Sequence, residues 1–317
     1  MLNIAAVINQ LPGTSIAYKT EGGIARDLLN IIPAEQVAGS FTYFGREFAF
    51  RMEDPSMGRL SEAKEIDFSE QEKPFLAKPY GLKGAIAFDV NQLTKTRVNR
   101  LQQQVRGLTD TLDRWLEKQT RDLVDTFTKD AVSKTWNDDT SDPVQDAKKL
   151  AQKLAMAPNI AVMGKRVVDR LVYHPAVKAL RNTAAAGSVS LSDLAAMLEV
   201  EKILVPTLKV NTARKGQAEN LDYLWGDVFW MGYRNPATEI GTEEITFGAQ
   251  IRVDIPELKD VARTSQVYAA SEQGTLVRVW ENPERGHAGA AMIQVGRQYD
   301  LKQIAPDLGR GLSGVLA

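Results

Sequence analysis

Apolar residues recur through the middle of the chain at Val98, Leu101, Val105, Leu108, Leu112 and Trp115, three and four residues apart by turns, and Leu116, Leu123, Val124 and Phe127 continue the stripe. That spacing predicts one long amphipathic helix over 94–134, roughly 60 Å long at ~1.5 Å per residue. Periodicity alone fits a coiled coil or a bundle, yet no second helix of similar length is predicted as an antiparallel partner. Upstream the period falls to two. Phe41, Tyr43, Phe48, Phe50 and Met52 alternate with Thr42, Glu47, Ala49 and Arg51, with Gly45 offsetting the phase, which predicts a strand. A turn signal follows at Asp54-Pro55-Ser56-Met57-Gly58, and the chain returns through Ile66, Phe68, Phe75 and Leu76 towards Gly81. Residues 40–82 therefore read as a long hairpin, and an isolated hairpin needs a partner surface. The first 33 residues hold only short apolar stretches interrupted by Pro12-Gly13, Gly22-Gly23 and Pro33, and they are expected to pack on something else.

Beyond the long helix, Asp142-Pro143 pairs a helix cap with proline at the first helical position, predicting a helix over 143–156. A further helix is read from Met163 through Leu171 to the break at His174-Pro175. Ser190-Leu191-Ser192-Asp193 carries a capping pattern. Strands are predicted at 202–210, 227–233, 245–253, 267–270, 276–280 and 291–295. Together these elements define an α+β class.

Composition narrows the class. The 317 residues are 44% hydrophobic and 25% charged, with a formal net charge of −1, which suits a folded chain of about two domains and lacks the strongly basic face of a dedicated nucleic-acid binder. With no cysteine, thiolate metal sites, disulfides and Cys nucleophiles are excluded. No run reaches the ~20 apolar residues that span a bilayer, and no secretory pattern opens the chain, so a cytoplasmic setting without membrane contact is expected.

Candidate chemistry is sparse. Gly309-Arg310-Gly311-Leu312-Ser313-Gly314 matches a dinucleotide-loop pattern in form, but no following helix is available to hold a pyrophosphate. Of the two histidines, His174 sits before Pro175 at a helix break and reads as a structural or capping residue rather than a general base; a hydrolase using His174 is the remote alternative. His287 lies in an evident turn. The acid pairs Asp138-Asp139 and Glu243-Glu244 read as solvated, and Trp225, Trp230 and Trp280 as packing residues rather than a ligand platform. No catalytic residue, cofactor or metal ligand is assigned.

Charge patterning is more informative. Between Glu53 and Lys73 lie seven acids (Glu53, Asp54, Glu62, Glu65, Asp67, Glu70, Glu72) against three bases (Arg59, Lys64, Lys73). The first half of the long helix carries Lys95, Arg97, Arg100 and Arg106 with no acid before Asp110, the unfavourable sign for a helix N-terminus. Water and counterions, the acidic hairpin of a second copy, or nucleic acid are the candidate compensators. Glu62, Glu65, Asp67, Glu70 and Glu72, with Lys95, Arg97, Arg100 and Arg106, are the candidate contact residues between copies.

Several stretches together resemble the major capsid proteins of tailed bacteriophages: Met163-Gly164-Lys165-Arg166-Val167-Val168-Asp169-Arg170-Leu171 running into Tyr173-His174-Pro175-Ala176-Val177, then Val200-Glu201-Lys202-Ile203, Asn211-Thr212-Ala213 and Leu224-Trp225-Gly226-Asp227, and finally Met292-Ile293-Gln294-Val295 to Tyr299-Asp300-Leu301. The resemblance implies the capsid fold shared with encapsulins: an N-terminal arm (1–33), an extended E-loop hairpin (34–83), a peripheral domain (84–155 and 273–300) with a spine helix at 94–134, and an axial domain (156–272 and 301–317). It implies a structural, non-enzymatic protein that self-assembles through pentamers and hexamers into an icosahedral head. That head would enclose the double-stranded DNA of a tailed phage without sequence-specific binding. The implied partners are other copies of the chain, a separate scaffolding protein, a portal and a decoration protein. The implied location is the virion capsid, assembled in the host cytoplasm. An encapsulin-type nanocompartment shell is the alternative. Nothing before Asn30 resembles the helical scaffolding segment some relatives carry, and no covalent cross-link is inferred.

Overall fold

The computed structural model describes residues 20–44, 70–87, 94–180, 189–214, 216–241, 244–253, 267–272, 274–287 and 289–316, together with Ser15, Asp54, Ser56, Met57 and Glu62; at 42–44, 70–71, 94–99 and 267–272 the backbone alone is described. Residues 20–34, expected to belong to an arm, are built into the subunit. The chain turns at Gly22, where φ is +78° and the carbonyl accepts from the Thr207 and Leu208 N–H groups at 3.0 and 3.2 Å. A Cβ there would lie 2.4 Å from Thr207 Oγ1, so both backbone and space require glycine. Helix α1 (Ala25–Leu28) and strand β1 (Asn30–Ala34) follow, burying Ile24, Leu28, Leu29 and Ile32. The apolar partners of this segment are distant in sequence.

Strands β2 (Ala38–Phe44) and β3 (Glu70–Leu76) form the base of the predicted hairpin, with Ala38 opposite Leu76 and Phe44 opposite Glu70. They pair with each other alone among the described strands. Their base is held to the subunit at three points. Phe41 packs into a cluster with Ile32, Ile240, Ala249, Ile251 and Ile304. Lys73 Nζ donates to the Ile304 carbonyl at 2.9 Å, and the Leu76 N–H donates to Asp300 Oδ2 at 3.0 Å. Strand β4 (Lys78–Ala87) then runs into a larger sheet.

Helix α2 (Thr94–Asp125) is the long helix. It stops short of the expected Lys134, because Thr126 Oγ1 turns back onto the Leu123 carbonyl at 2.6 Å and strand β5 (Lys129–Ala131) is claimed by a ladder farther on. Its stripe does not face another helix. Leu101, Val105 and Leu112 pack with Ile86, Val277, Val279, Ile293 and Val295, so the bundle reading gives way to one helix laid across a sheet.

The next elements are α3 (Pro143–Gln152), β6 (Ile160–Met163), α4 (Lys165–Tyr173), α5 (Pro175–Leu180), α6 (Leu191–Leu198), β7 (Lys202–Leu204), β8 (Lys209–Asn211), β9 (Leu221–Tyr223) and β10 (Phe229–Gly232). The predicted caps form: Asp142 accepts from the Gln145 N–H, and Ser190 and Asp193 make a reciprocal capping box. Helix α3 ends four residues earlier than expected. The helix read from Met163 starts at Lys165, since Ile160–Met163 is a strand. The single strand expected over 202–210 is two, divided around Pro206, which has no N–H for a ladder.

The last five strands are β11 (Gly248–Val253), β12 (Val267–Glu272), β13 (Thr275–Asn282), β14 (Ala290–Gln303) and β15 (Gly309–Ser313). The larger sheet runs β1-β11-β14-β13-β12, and β4 also pairs with β14. Strand β14 is long enough to hold β4 and β13 along its first part and β11 along its last. The second sheet runs β5-β15-β10-β6-β7.

Both faces of the second sheet are covered, which is why β6 and β10 are apolar at every position. Ala161, Met163, Phe229 and Met231 face the core made by α3 to α6, while Ile160, Val162 and Trp230 face a second core with Val124, Phe127, Leu28 and Phe247. Trp230 is pressed close to the backbone of β15: a Cβ on Gly309 would lie 2.5 Å from its ring. Gly309 therefore serves packing. Packing also groups α3 with the second sheet and β11 with the first.

Candidate assembly surface

The side of α2 turned towards Ser15 and residues 20–26 is polar at four-residue spacing. Thr109, Asp113 and Glu117 are all buried and lie on one face. Thr109 Oγ1 and Ser15 Oγ share a hydrogen bond at 2.8 Å. Asp113 accepts both contacts of the Arg26 guanidinium, at 2.9 and 3.0 Å, and also pairs with Arg297. Glu117 accepts from the Ile24 N–H at 3.0 Å, the Ala25 N–H at 2.8 Å and Trp225 Nε1 at 2.7 Å. Burial pushes the Glu117 carboxyl above its ordinary range, while the three N–H donors pull the other way.

The opposite flank of α2 is open. Leu112 and Trp115, with Tyr80 and Leu82 of β4 and with Val210 and Leu224, line a groove of about 550 Å³. Trp115, read from the periodicity as part of the core stripe, is 44% exposed. Arg114 and Lys118 also line the groove, and Lys118 Nζ lies 4.9 Å from the Trp115 ring centroid. Arg114 is already paired with Asp110 at 2.8 Å; an apolar floor beside Lys118 suits a segment that carries aromatics and acids.

The structure does not gather the candidate contact residues within one chain. Arg106 is exposed and Arg100 half-buried, and neither has an ion-pair partner among the described residues. Lys95 and Arg97 lie in the first turn of α2, and Glu70 stands opposite Phe44 at the hairpin base. Glu62 and Glu72 are exposed; Glu65 and Asp67 lie outside the described residues. Lys73, counted among the hairpin's bases, points back into the subunit.

The remaining candidates fall into structural roles. His174 is fully buried. Its Nδ1 accepts from the Ala176 N–H at 3.2 Å, and its Nε2 lies 3.1 Å from Ser141 Oγ and 3.2 Å from the Asp138 carbonyl. It thereby ties the α4–α5 break to the loop before α3. Asp138 accepts from the backbone N–H and the hydroxyl of Thr140, while Asp139 pairs with Arg170. Trp225 and Trp230 are buried and Trp280 half-buried. Among the described residues no cluster of His and carboxylates could hold a metal ion, and no helix is long and apolar enough to cross a membrane.

Comparison with known proteins gives this geometry a class. A solved phage-related protein from Bordetella bronchiseptica RB50 superposes with a TM-score of 0.71 over 96% of both chains at 20% identity. The capsid of cyanophage P-SCSP1u does so at 0.53 over 93% of this chain and 89% of that one, at 8% identity. The fold is thus that of phage capsid shell subunits. The sequence profile described as phage major capsid protein E matches residues 117–270, and the major capsid protein of Pseudomonas phage JBD67 is 26% identical over 312 residues, 95% of this chain and 94% of that protein. The chain is thus similar, over nearly its whole length, to a phage major capsid protein, and it shares the fold of capsid subunits.

Proposed function

We propose that the chain forms pentamers and hexamers that close into the icosahedral head of a tailed phage around its double-stranded DNA. Assembly would take place in the host cytoplasm with a separate scaffolding protein, a portal and a decoration protein, and without enzymatic activity. Residues 38–76 serve as the E-loop and α2 as the spine of a peripheral domain; the five-stranded sheet with α3 to α6 serves as the axial domain.

The observation that carries this reading is the pairing of two incomplete features. A hairpin whose base is fixed to the subunit carries acids and aromatics in its outer sequence, and the long helix borders an apolar groove and carries Arg100 and Arg106, which have no ion-pair partner among the described residues. We assign the hairpin of one subunit to the α2 flank of the next. Each exposed ion pair is worth only ~0–1 kcal/mol, but it recurs at every interface and is screened by salt.

Charge reversal tests the assignment. Arg100→Glu with Arg106→Glu should weaken assembly, and adding Glu65→Lys and Glu70→Lys should partly restore it. Impaired genome retention without assembly loss, and no rescue, would instead turn the basic stripe towards nucleic acid.

A further inference from the structure

We infer that Glu117 is a conformational latch joining the seating of residues 20–29 to the position of the Trp225 turn, so that unseating one loosens the other. The carboxylate stands where three parts of the chain meet. Its own helix lies on the larger sheet. The Ile24 and Ala25 N–H groups belong to the segment that leads into β1. Trp225 belongs to the turn that leads into β10 of the second sheet.

The arrangement couples its members because the acceptor is shared and buried. Glu117 is 3% exposed, and its partners are all donors. If residues 20–29 withdraw, Glu117 loses two of its three N–H partners, and a carboxyl that is left underpaired is costly wherever it stays shielded from water. It can regain partners only by moving, and movement strains the 2.7 Å bond to Trp225. The reverse holds equally, since coupling between two sites is reciprocal. The neighbouring Asp113 gives the segment a second anchor through Arg26, so the segment can be perturbed without replacing Glu117 or its three donors. The surrounding apolar core contains Ile24, Leu28, Leu29, Leu208, Leu224 and Trp225, which places both moving parts in one packed body rather than at opposite ends of a long path.

Hydrogen exchange on the full-length chain tests the latch. Arg26→Ala should speed exchange in 20–29, and also in 221–228, by about tenfold, the scale of losing a hydrogen bond to a charged group, while α6 stays at its parent rate. Trp225→Phe should speed exchange in 20–29 in return. In a Glu117→Gln background, Arg26→Ala should change 20–29 alone. The latch is overturned if the Arg26→Ala effect stays within 20–29, or if it still reaches 221–228 when Glu117 is replaced. Should Arg26→Ala not fold, Trp225→Phe decides by itself: faster exchange in 20–29 supports the latch, and parent rates there overturn it.

Discussion

Tyr80 and Tyr299 stack with their ring centroids 4.6 Å apart, and one side chain of α2 binds both hydroxyls. Gln119 Nε2 donates to Tyr80 Oη at 2.8 Å, and Tyr299 Oη donates to Gln119 Oε1 at 2.7 Å. The long helix is thereby fixed to β4, the strand that continues from the hairpin, and to β14 at the centre of the larger sheet.

Tyr299→Phe should therefore lower stability by about 1 kcal/mol, the usual worth of one hydrogen bond, as read by chemical denaturation of the subunit. Burial raises the Tyr299 hydroxyl well above its ordinary value of 10.0. The unfolded chain would ionise first, so this group's contribution is complete below about pH 10 and is lost as the pH climbs towards the raised value. Tyr299→Phe should remove that alkaline loss.

The hairpin prediction depends on where the base ends. Replacing residues 47–67 by a short turn should leave a cooperatively melting subunit that assembles poorly, because Phe41, Lys73 and Leu76 keep the base in place. Lys73→Ala, by contrast, should lower the melting temperature while leaving the outer hairpin's charges unchanged apart from its own. Loss of the melting transition in the turn replacement would assign the outer hairpin to the subunit core.

Glu117 and Asp130 should pull the acid response of the subunit in opposite directions. A carboxyl raised above its ordinary 4.5 gives stability that is complete below that value and fades as the pH rises through the raised one. Melting temperature should thus gain from Glu117 as the pH falls from neutral towards about 4.5, and Glu117→Gln should flatten that gain. Asp130 is held below its ordinary 3.8, chiefly by its hydrogen bond to Arg310 with help from Lys153, so its contribution is present above that value and lost as the pH drops through the depressed one. Arg310→Ala should remove this second limb.

Much of the architecture was legible because it is local. The period of α2, the Asp142-Pro143 start and the Ser190 to Asp193 capping box are written in neighbouring residues, and each formed. The packing of residues 20–34 was not legible for the converse reason: Asn30 pairs with Ala249, and Gly22 with Thr207 and Leu208, so nothing nearby announced a partner. The Asp113 to Glu117 spacing was visible as a polar interruption of an apolar stripe, but its meaning depended on Arg26, Arg297 and Trp225, which only the fold brings together. Trp115 shows the limit of periodicity. It fits the stripe, yet it sits at its margin, where the sheet ends and the groove opens. His174 needed the Ser141 and Asp138 contacts before its structural role had a geometry.

Electron microscopy of the purified chain tests the central claim most directly, with sedimentation as a check on particle size. The account predicts capsomers or closed shells, since it assigns the hairpin and the Trp115 groove to contacts with another copy. Nucleic acid within particles recovered from infected cells would mark them as heads, and a cargo enzyme in its place would mark a nanocompartment. A compact monomer that persists at high concentration would contradict the account.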